Sequence, residues 1–322
     1  MTATSLTDLL RDDMAEVDRV IRARLHSDVV LVSQVAEYIV AGGGKRLRPA
    51  MVVLCAKALG YQGTHHHELA AVVEFIHTAT LLHDDVVDAS DLRRGRATAN
   101  AEFGNAASVL VGDFLYSRAF QMMVSVKNMH VMEVLSDATN VIAEGEVLQL
   151  MNCHDPDIEI DNYLQVIRYK TAKLFEASGR LGAIVSGAGD DVEAALGRYG
   201  MHLGTAFQLI DDVLDYSGNA EQTGKNVGDD LAEGKPTLPL LHVMRTGTPE
   251  QAGIVRDAIL NGRVDQFDAI MAAVRATGAL DYTRECARRE AELAIAELTC
   301  IPDSVYKKAL LELPAFAVER DR

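Results

Sequence analysis

Tryptophan is absent from this 322-residue sequence, aromatics reach only 5%, and there are seven prolines and four cysteines. Each shortage excludes something. Cys55, Cys153, Cys286 and Cys300 form no CxxC pair and no secreted-framework spacing, so they read as reduced, buried thiols of a cytoplasmic protein. No run approaches the ~20 apolar residues of a membrane helix. The first residues lack a basic segment followed by an apolar one, so no signal peptide is expected. The expectation is a soluble chain without stable membrane insertion. Basic residues are also in deficit: 31 against 47 acidic ones, a formal charge of −16. That balance argues against nucleic acid as a partner, because association would begin with repulsion from phosphates. Taken as a total, it also disfavours anionic ligands.

What is present is a hydrophobic fraction of 48%, enough for a large core at a length where roughly 75% of the unfolded surface can be buried. Proline placement then selects the fold class. No proline occurs between Pro49 and Pro156, or between Pro156 and Pro236, and these stretches are rich in helix-favouring Ala, Leu, Glu, Met and Gln. Apolar residues recur at helical spacing, as in Leu69, Val72, Val73, Ile76 and Ala79, and alternating strand patterns are missing. The pattern predicts helices over 4–26, 29–41, 48–59, 65–89, 105–126, 130–151, 159–187, 191–217, 236–246, 250–261, 265–276, 278–297 and 303–316. With several above twenty residues and no Pro/Ser-rich linker, the expectation is an all-α chain. It is read as one domain, 1–322, a single bundle of long helices around a central cavity.

Two acidic constellations carry the chemistry. In Leu82-His83-Asp84-Asp85-Val86-Val87-Asp88, a helix places Asp84 and Asp88 one turn apart on one face with Asp85 beside them. Crowded carboxylates repel, so stability does not explain the arrangement; a hard divalent cation such as Mg²⁺ does. A solvated acidic turn is the plainer alternative. The spacing recurs in Gln208-Leu209-Ile210-Asp211-Asp212-Val213-Leu214-Asp215, near the end of another long helix. Two such helices facing each other would hold several Mg²⁺ ions, a cage suited to a diphosphate.

A cationic cluster complements them. In Gly43-Gly44-Lys45-Arg46-Leu47-Arg48-Pro49, Pro49 fits a first helical turn and sets the cations at that helix's N-terminus, where they oppose its dipole. An anion bound there explains them; a loop that is merely basic is the alternative. Arg93-Arg94-Gly95 follows the first acidic motif, and Lys170-Thr171 lies within a long helix. Lys225 lies within, and Lys235 directly after, a glycine-rich stretch, 218–234, that reads as a lid or an ordinary surface loop. His65-His66-His67 suggests metal, but consecutive residues point to different helix faces, so these are expected at the surface.

On these residues the chain resembles the trans-prenyl diphosphate synthases. Arg93 to Asn100, Ala143 to Leu150, Gly224 to Leu231 and the ending Glu319-Arg320-Asp321-Arg322 are similar to the bacterial octaprenyl diphosphate synthases of quinone side-chain synthesis. The resemblance implies Mg²⁺-dependent, sequential condensation of isopentenyl diphosphate with an allylic primer, farnesyl diphosphate being expected. It implies two or three Mg²⁺ ions, with Asp84, Asp88 and Asp211 as principal ligands and Asp85, Asp212 and Asp215 in support. By the same resemblance Arg93, Lys170, Thr171, Gln208, Lys225 and Lys235 hold the allylic diphosphate, and Lys45, Arg48, His77 and Arg94 hold isopentenyl diphosphate. It further implies a homodimer, with transient membrane contact for product release. Without it, His77 reads as a satisfied core histidine.

Chain length has its own signal. Ala79 stands five residues before Asp84, where short-chain members of the family carry a bulky aromatic, so the product's path is open here. A helix of ~23 residues spans about 34 Å, and eight extended isoprene units at roughly 4–5 Å each need about 32–40 Å. Ile76, and on the next helix Phe120, Met122 and Met123, are candidate limits; ordinary core packing is the alternative. Two rival functions stand beside this reading. A metal-dependent phosphohydrolase matches His77 and His83-Asp84 but leaves the second acidic motif and Lys45–Arg48 unexplained. A non-catalytic subunit of a heteromeric synthase sits poorly with a full set of motif residues.

Overall fold

In a computed structural model, which describes residues 3–217, 228–263 and 265–319, the chain is all-α. The described residues form helices α1 (Ala3–Leu25), α2 (Val30–Ala41), α3 (Leu47–Ala58), α4 (His65–Val87), α5 (Ala99–Phe103), α6 (Asn105–Ser125), α7 (Met129–Asn152) and α8 (Ile160–Ile167). They continue with α9 (Lys173–Val185), α10 (Asp190–Ser217), α11 (Asp229–Ala232), α12 (Leu238–Thr246), α13 (Pro249–Asn261), α14 (Phe267–Ala276), α15 (Ala279–Glu297) and α16 (Val305–Val318). The long helices fall where apolar spacing and proline-free composition predict them. The single helix expected over 159–187 is instead α8 and α9 joined by a π-helical turn, Arg168–Ala172. A two-stranded hairpin, β1 (Leu92–Arg93) with β2 (Arg96–Ala97), was not expected; its strands are too short to show alternation.

The chain divides into two compact units, each built from separate stretches of sequence. The first comprises Met1–Thr139, Leu174–Gly200 and Glu297–Leu313. Its axis is α4, which packs along α6 and against α1, α3 and α5. Both α3 and α4 are apolar on most of their circumference, the pattern of a helix surrounded by core. Met51 to Ala56 are wholly buried on α3, as are Leu69 to Val73, Ile76, Ala79 and Leu82 on α4. Capping is local: Thr98 accepts a hydrogen bond from the Ala101 N–H at the start of α5.

The second unit comprises Asn140–Lys173, Met201–Ala296 and Pro314–Arg322. One core gathers Leu240 and Val243 of α12, Val255 and Ile259 of α13 and Ile270 and Val274 of α14 around Tyr216. Another sets Tyr163 and Ile167 of α8 against Leu209 and Ile210 of α10. The start of α13 carries a complete capping box, Thr248 with Gln251, and Pro249 in the first turn.

Two sequence expectations are corrected here. None of the four cysteines is in a disulfide, as expected, but only Cys55 is buried; Cys153 and Cys286 are half-buried and Cys300 is exposed. His66 is not at the surface: it is 1% exposed, and both it and His67 reach Asp13 on α1. Adjacent residues leave a helix in different directions, yet these two rings lie with centroids 3.9 Å apart and a single carboxylate oxygen from another helix meets both. No helix among the described residues is long and apolar enough to cross a membrane.

Candidate active site

Helix periodicity sorts the first acidic motif. Asp84 and Asp88, one turn apart at the end of α4, are half-buried, whereas Asp85 turns inward and is wholly buried. A buried carboxylate needs a partner, and Asp85 has one: Arg93 Nε donates to Oδ1 at 2.8 Å and to Oδ2 at 3.1 Å, and Nη2 donates to Oδ1 at 2.6 Å. The hairpin delivers that arginine. Arg94 and Gly95 at its tip lie at φ 53° and 72°, which reverses the chain and sends Arg93 back towards α4. Asn100 donates to the Asp85 and Ser90 carbonyls, and Thr98 donates to Ser90, tying the loop to the helix end. Tyr38 completes the clamp by donating to the Ala97 carbonyl at 2.8 Å, with Arg96 stacked over its ring.

Beside this clamp opens a cleft lined by Gly42, Gly43, Glu74, His77, Arg93 and Arg94 among others. Arg48, in the first turn of α3, lies 4.4 Å over the Phe175 ring and donates from Nη1 to His77 Nε2 at 3.4 Å. That bond puts the ring proton on Nδ1. Burial holds the His77 pKa well below its usual value, and the charges of Arg48, Arg94 and Arg93 push it the same way. His77 is thus a neutral imidazole among cations. Glu74, one turn before it, is raised by burial, opposed by Arg46, Arg48 and Arg94. Arg46 sits at φ 46° and pairs with Asp18 at 2.8 Å, so it belongs to the scaffold, while Lys45 is exposed. Gly44, beside the Arg94 guanidinium, lies at φ 155°, a backbone state that side-chain-bearing residues rarely adopt.

The second unit repeats the acidic pattern. Asp211 and Asp215 on α10 are half-buried and Asp212, between them in sequence, is buried. Asp212 accepts a hydrogen bond from the Tyr163 hydroxyl and one from Gln208 Nε2 at 3.0 Å, and Thr171 in turn donates to Gln208 Oε1. Burial, with the neighbouring charges of Asp230 and Asp211, pushes the Asp212 carboxyl up to about 7 against those hydrogen bonds. Lys170 donates to Glu146 Oε2 at 2.6 Å. The π turn that carries Lys170 and Thr171 presses on α7 at Gly145, where a Cβ would stand 2.7 Å from the Lys170 backbone nitrogen. Lys235 pairs with Glu233, and its N–H donates to the Asp230 carbonyl at 2.8 Å. Lys225 and residues 218–227 of the expected lid lie outside the described residues.

In each motif, then, the second aspartate is turned inward and buried, and the first and third are half-buried. The donor set is all oxygen, and three carboxylates crowded within one helical turn repel each other unless a hard divalent cation lies between them, so these residues fit Mg²⁺. Ile76, Ala79 and Met123, the chain-length candidates, are fully buried on α4 and α6. Sequence reading missed Glu74, Tyr38, Phe175, Glu146 and Tyr163. Glu74 was within reach, being one turn from His77 on the same face. The others meet their partners only through folding.

Over residues 29–275 the chain matches the polyprenyl synthetase family. It is 57% identical, over the full length of both chains, to the octaprenyl diphosphate synthase of Escherichia coli (strain K12). It is 47% identical, over 96% of this chain and 95% of the relative, to the all-trans-nonaprenyl-diphosphate synthase (geranyl-diphosphate specific) of Rhodobacter capsulatus. Among solved structures it is similar to the polyprenyl synthase of Caulobacter crescentus CB15 complexed with calcium and isoprenyl diphosphate. That likeness has a TM-score of 0.96 and 47% identity, and it covers 100% of this chain and 98% of that one.

Proposed function

Since the chain belongs to the polyprenyl synthetase family and is a trans-prenyl diphosphate synthase, a prenyltransferase, we propose that it makes octaprenyl diphosphate for a quinone side chain. The steps are successive condensations of isopentenyl diphosphate with an allylic primer, farnesyl diphosphate being the one expected. The observation that carries this reading is 57% full-length identity to an octaprenyl synthase, against 47% to a nonaprenyl one. Buried Ala79, small where a blocking side chain would stand, supports a long product. The family match runs through stretches of both units, which supports reading 1–322 as one synthase domain. A cytoplasmic enzyme is proposed, acting as a homodimer; exposed Leu110 and Val124 on α6 support an apolar interface.

The roles follow from charge and placement. In the first unit, Lys45, Arg48 and Arg94 neutralise the diphosphate of isopentenyl diphosphate. Neutral His77 accepts from Arg48 and so aims its guanidinium, already stacked on Phe175. Asp84 and Asp88 are metal ligands, and Asp85 supports them by holding Arg93 for the allylic diphosphate. In the second unit, Asp211 and Asp215 are metal ligands and Asp212, locked by Tyr163 and Gln208, supports them. Lys170, Thr171, Gln208, Lys225 and Lys235 serve the allylic diphosphate. Two or three Mg²⁺ ions, when bound, neutralise the leaving diphosphate. With the allylic C–O bond broken, the isopentenyl double bond attacks the allylic cation, and the resulting cation loses a proton to the departed diphosphate. Fixed cations of the protein stabilise the departing charge, which is electrostatic preorganisation with a proximity term for the paired substrates.

Incubating the pure chain with Mg²⁺, isopentenyl diphosphate and farnesyl diphosphate, then sizing the product, tests this. Eight-unit product is expected; a shorter or longer principal product refutes the length assignment. Loss of condensation is expected for Asp84→Ala and for Asp211→Ala, and full activity in either removes that motif from the metal site.

A further inference from the structure

At the opposite end of α4 from its aspartates, three helices bring four ionisable side chains to one atom. Asp13 Oδ1, on α1, lies 2.8 Å from His67 Nε2, 3.3 Å from His66 Nε2 and 3.2 Å from Lys57 Nζ, Lys57 being in the last turn of α3. A carboxylate oxygen has two lone pairs, so three nitrogen neighbours over-subscribe it. His66 has the longest of these contacts, and its other nitrogen, Nδ1, is buried with no hydrogen-bond partner although the side chain is only 1% exposed. Protein groups alone therefore leave a buried imidazole poorly satisfied at both nitrogens, which costs free energy. Its burial favours the neutral, lone-pair-bearing form.

The geometry points to a transition-metal site formed by Asp13 Oδ1, His66 Nε2 and His67 Nε2, taking Zn²⁺ or a chemically similar divalent ion. The three ligand atoms lie within 4.8 Å of one another. Metal–ligand bonds of about 2.0–2.1 Å in a tetrahedron set ligand atoms about 3.3–3.4 Å apart. The Asp13–His66 separation already has that value, and the Asp13–His67 one needs to open by about half an ångström. Two imidazoles and a carboxylate suit zinc and its neighbours, in contrast to the all-oxygen aspartate motifs. A fourth position is left for water. Lys57, one-quarter exposed on four rotatable bonds, swings to solvent when the metal takes its place on Asp13. His67 and Asp84 are separated by about 25 Å along α4, so the ion stands apart from catalysis. It ties α1 to α4 within the first unit.

The test uses the full, untagged chain in excess Mg²⁺, titrated with Zn²⁺ by calorimetry and with Co²⁺ by visible absorption. One equivalent is expected to bind with a dissociation constant of about 10 μM or tighter, and Co²⁺ is expected to show the intense d–d bands of a four-coordinate, histidine-ligated ion. His67→Ala and Asp13→Asn should each weaken binding at least about 100-fold while prenyl transfer in Mg²⁺ is retained. Lys57→Met, which removes the competitor without touching a ligand, should tighten it. Asp84→Ala should leave it unchanged. Binding in the wild type weaker than about 1 mM, or equal in wild type, His67→Ala and Asp13→Asn, overturns the site. So does loss of the ion in Asp84→Ala.

Discussion

Arg93 and Asp85 can be uncoupled from catalysis and weighed by a double-mutant cycle. Asp85 is fully buried and Arg93 keeps 21% of its side chain exposed, with three N–O contacts between 2.6 and 3.1 Å. Arg93→Ala strands a buried carboxylate, which costs about 3–5 kcal/mol. Asp85→Ala strands a guanidinium that can still turn towards the cleft, so about 1–2 kcal/mol is expected. The double variant carries no uncompensated charge. Its loss should fall short of the sum of the single losses by about 2–3 kcal/mol, a coupling well beyond the ~0.3–0.5 kcal/mol seen for independent sites. Denaturant midpoints measured without Mg²⁺ and without substrate isolate this term from metal binding. Additive losses, or a larger loss for Asp85→Ala than for Arg93→Ala, would refute the assignment of Asp85 as the anchor of Arg93.

Further expectations follow from other contacts. Ala79→Tyr should shorten the principal product to about three or four units with turnover retained; unchanged length with the ~1–3 kcal/mol destabilisation of an overpacked core would mark Ala79 as packing alone. Gly145→Ala drives a Cβ against the Lys170 nitrogen and the Tyr169 side chain, so a melting-point loss and a raised KM for the allylic substrate are expected, whereas Gly253→Ala on α13, with open space around it, should cost no stability. For His77 the folded pKa lies well below the unfolded ~6.5, so the unfolded chain binds the extra proton. Its contribution is fully present above pH ~6.5 and is lost as pH falls towards the folded pKa, at up to ~1.4 kcal/mol per unit. Denaturant midpoints between pH 7.5 and 5 should show this slope, and His77→Gln should reduce it, the remainder of the same sign coming from His66, which burial lowers to about 4.

Much of this protein is legible in one dimension. The absence of proline over long stretches and the apolar spacing set the all-α class, because helix formation is governed by residues three and four apart. The same period predicts that Asp84 and Asp88 share a face. It explains after the fact why Asp85 and Asp212 face inward, since a residue one position on turns by about 100°. The −16 charge misled as a total, for the acidic and basic side chains that count are clustered.

Tertiary structure alone decided the rest. Arg93 meets Asp85 because a hairpin reverses at positive φ, a backbone state the residues permit without announcing. The π turn at Arg168–Ala172 shifts Lys170 and Thr171 off the helical register that a continuous 159–187 helix would impose. Asp13 meets His66 and His67 across 53 and 54 residues of chain. Local periodicity carries no information about such pairs, which exist only because α1 and α4 bury their apolar faces against each other.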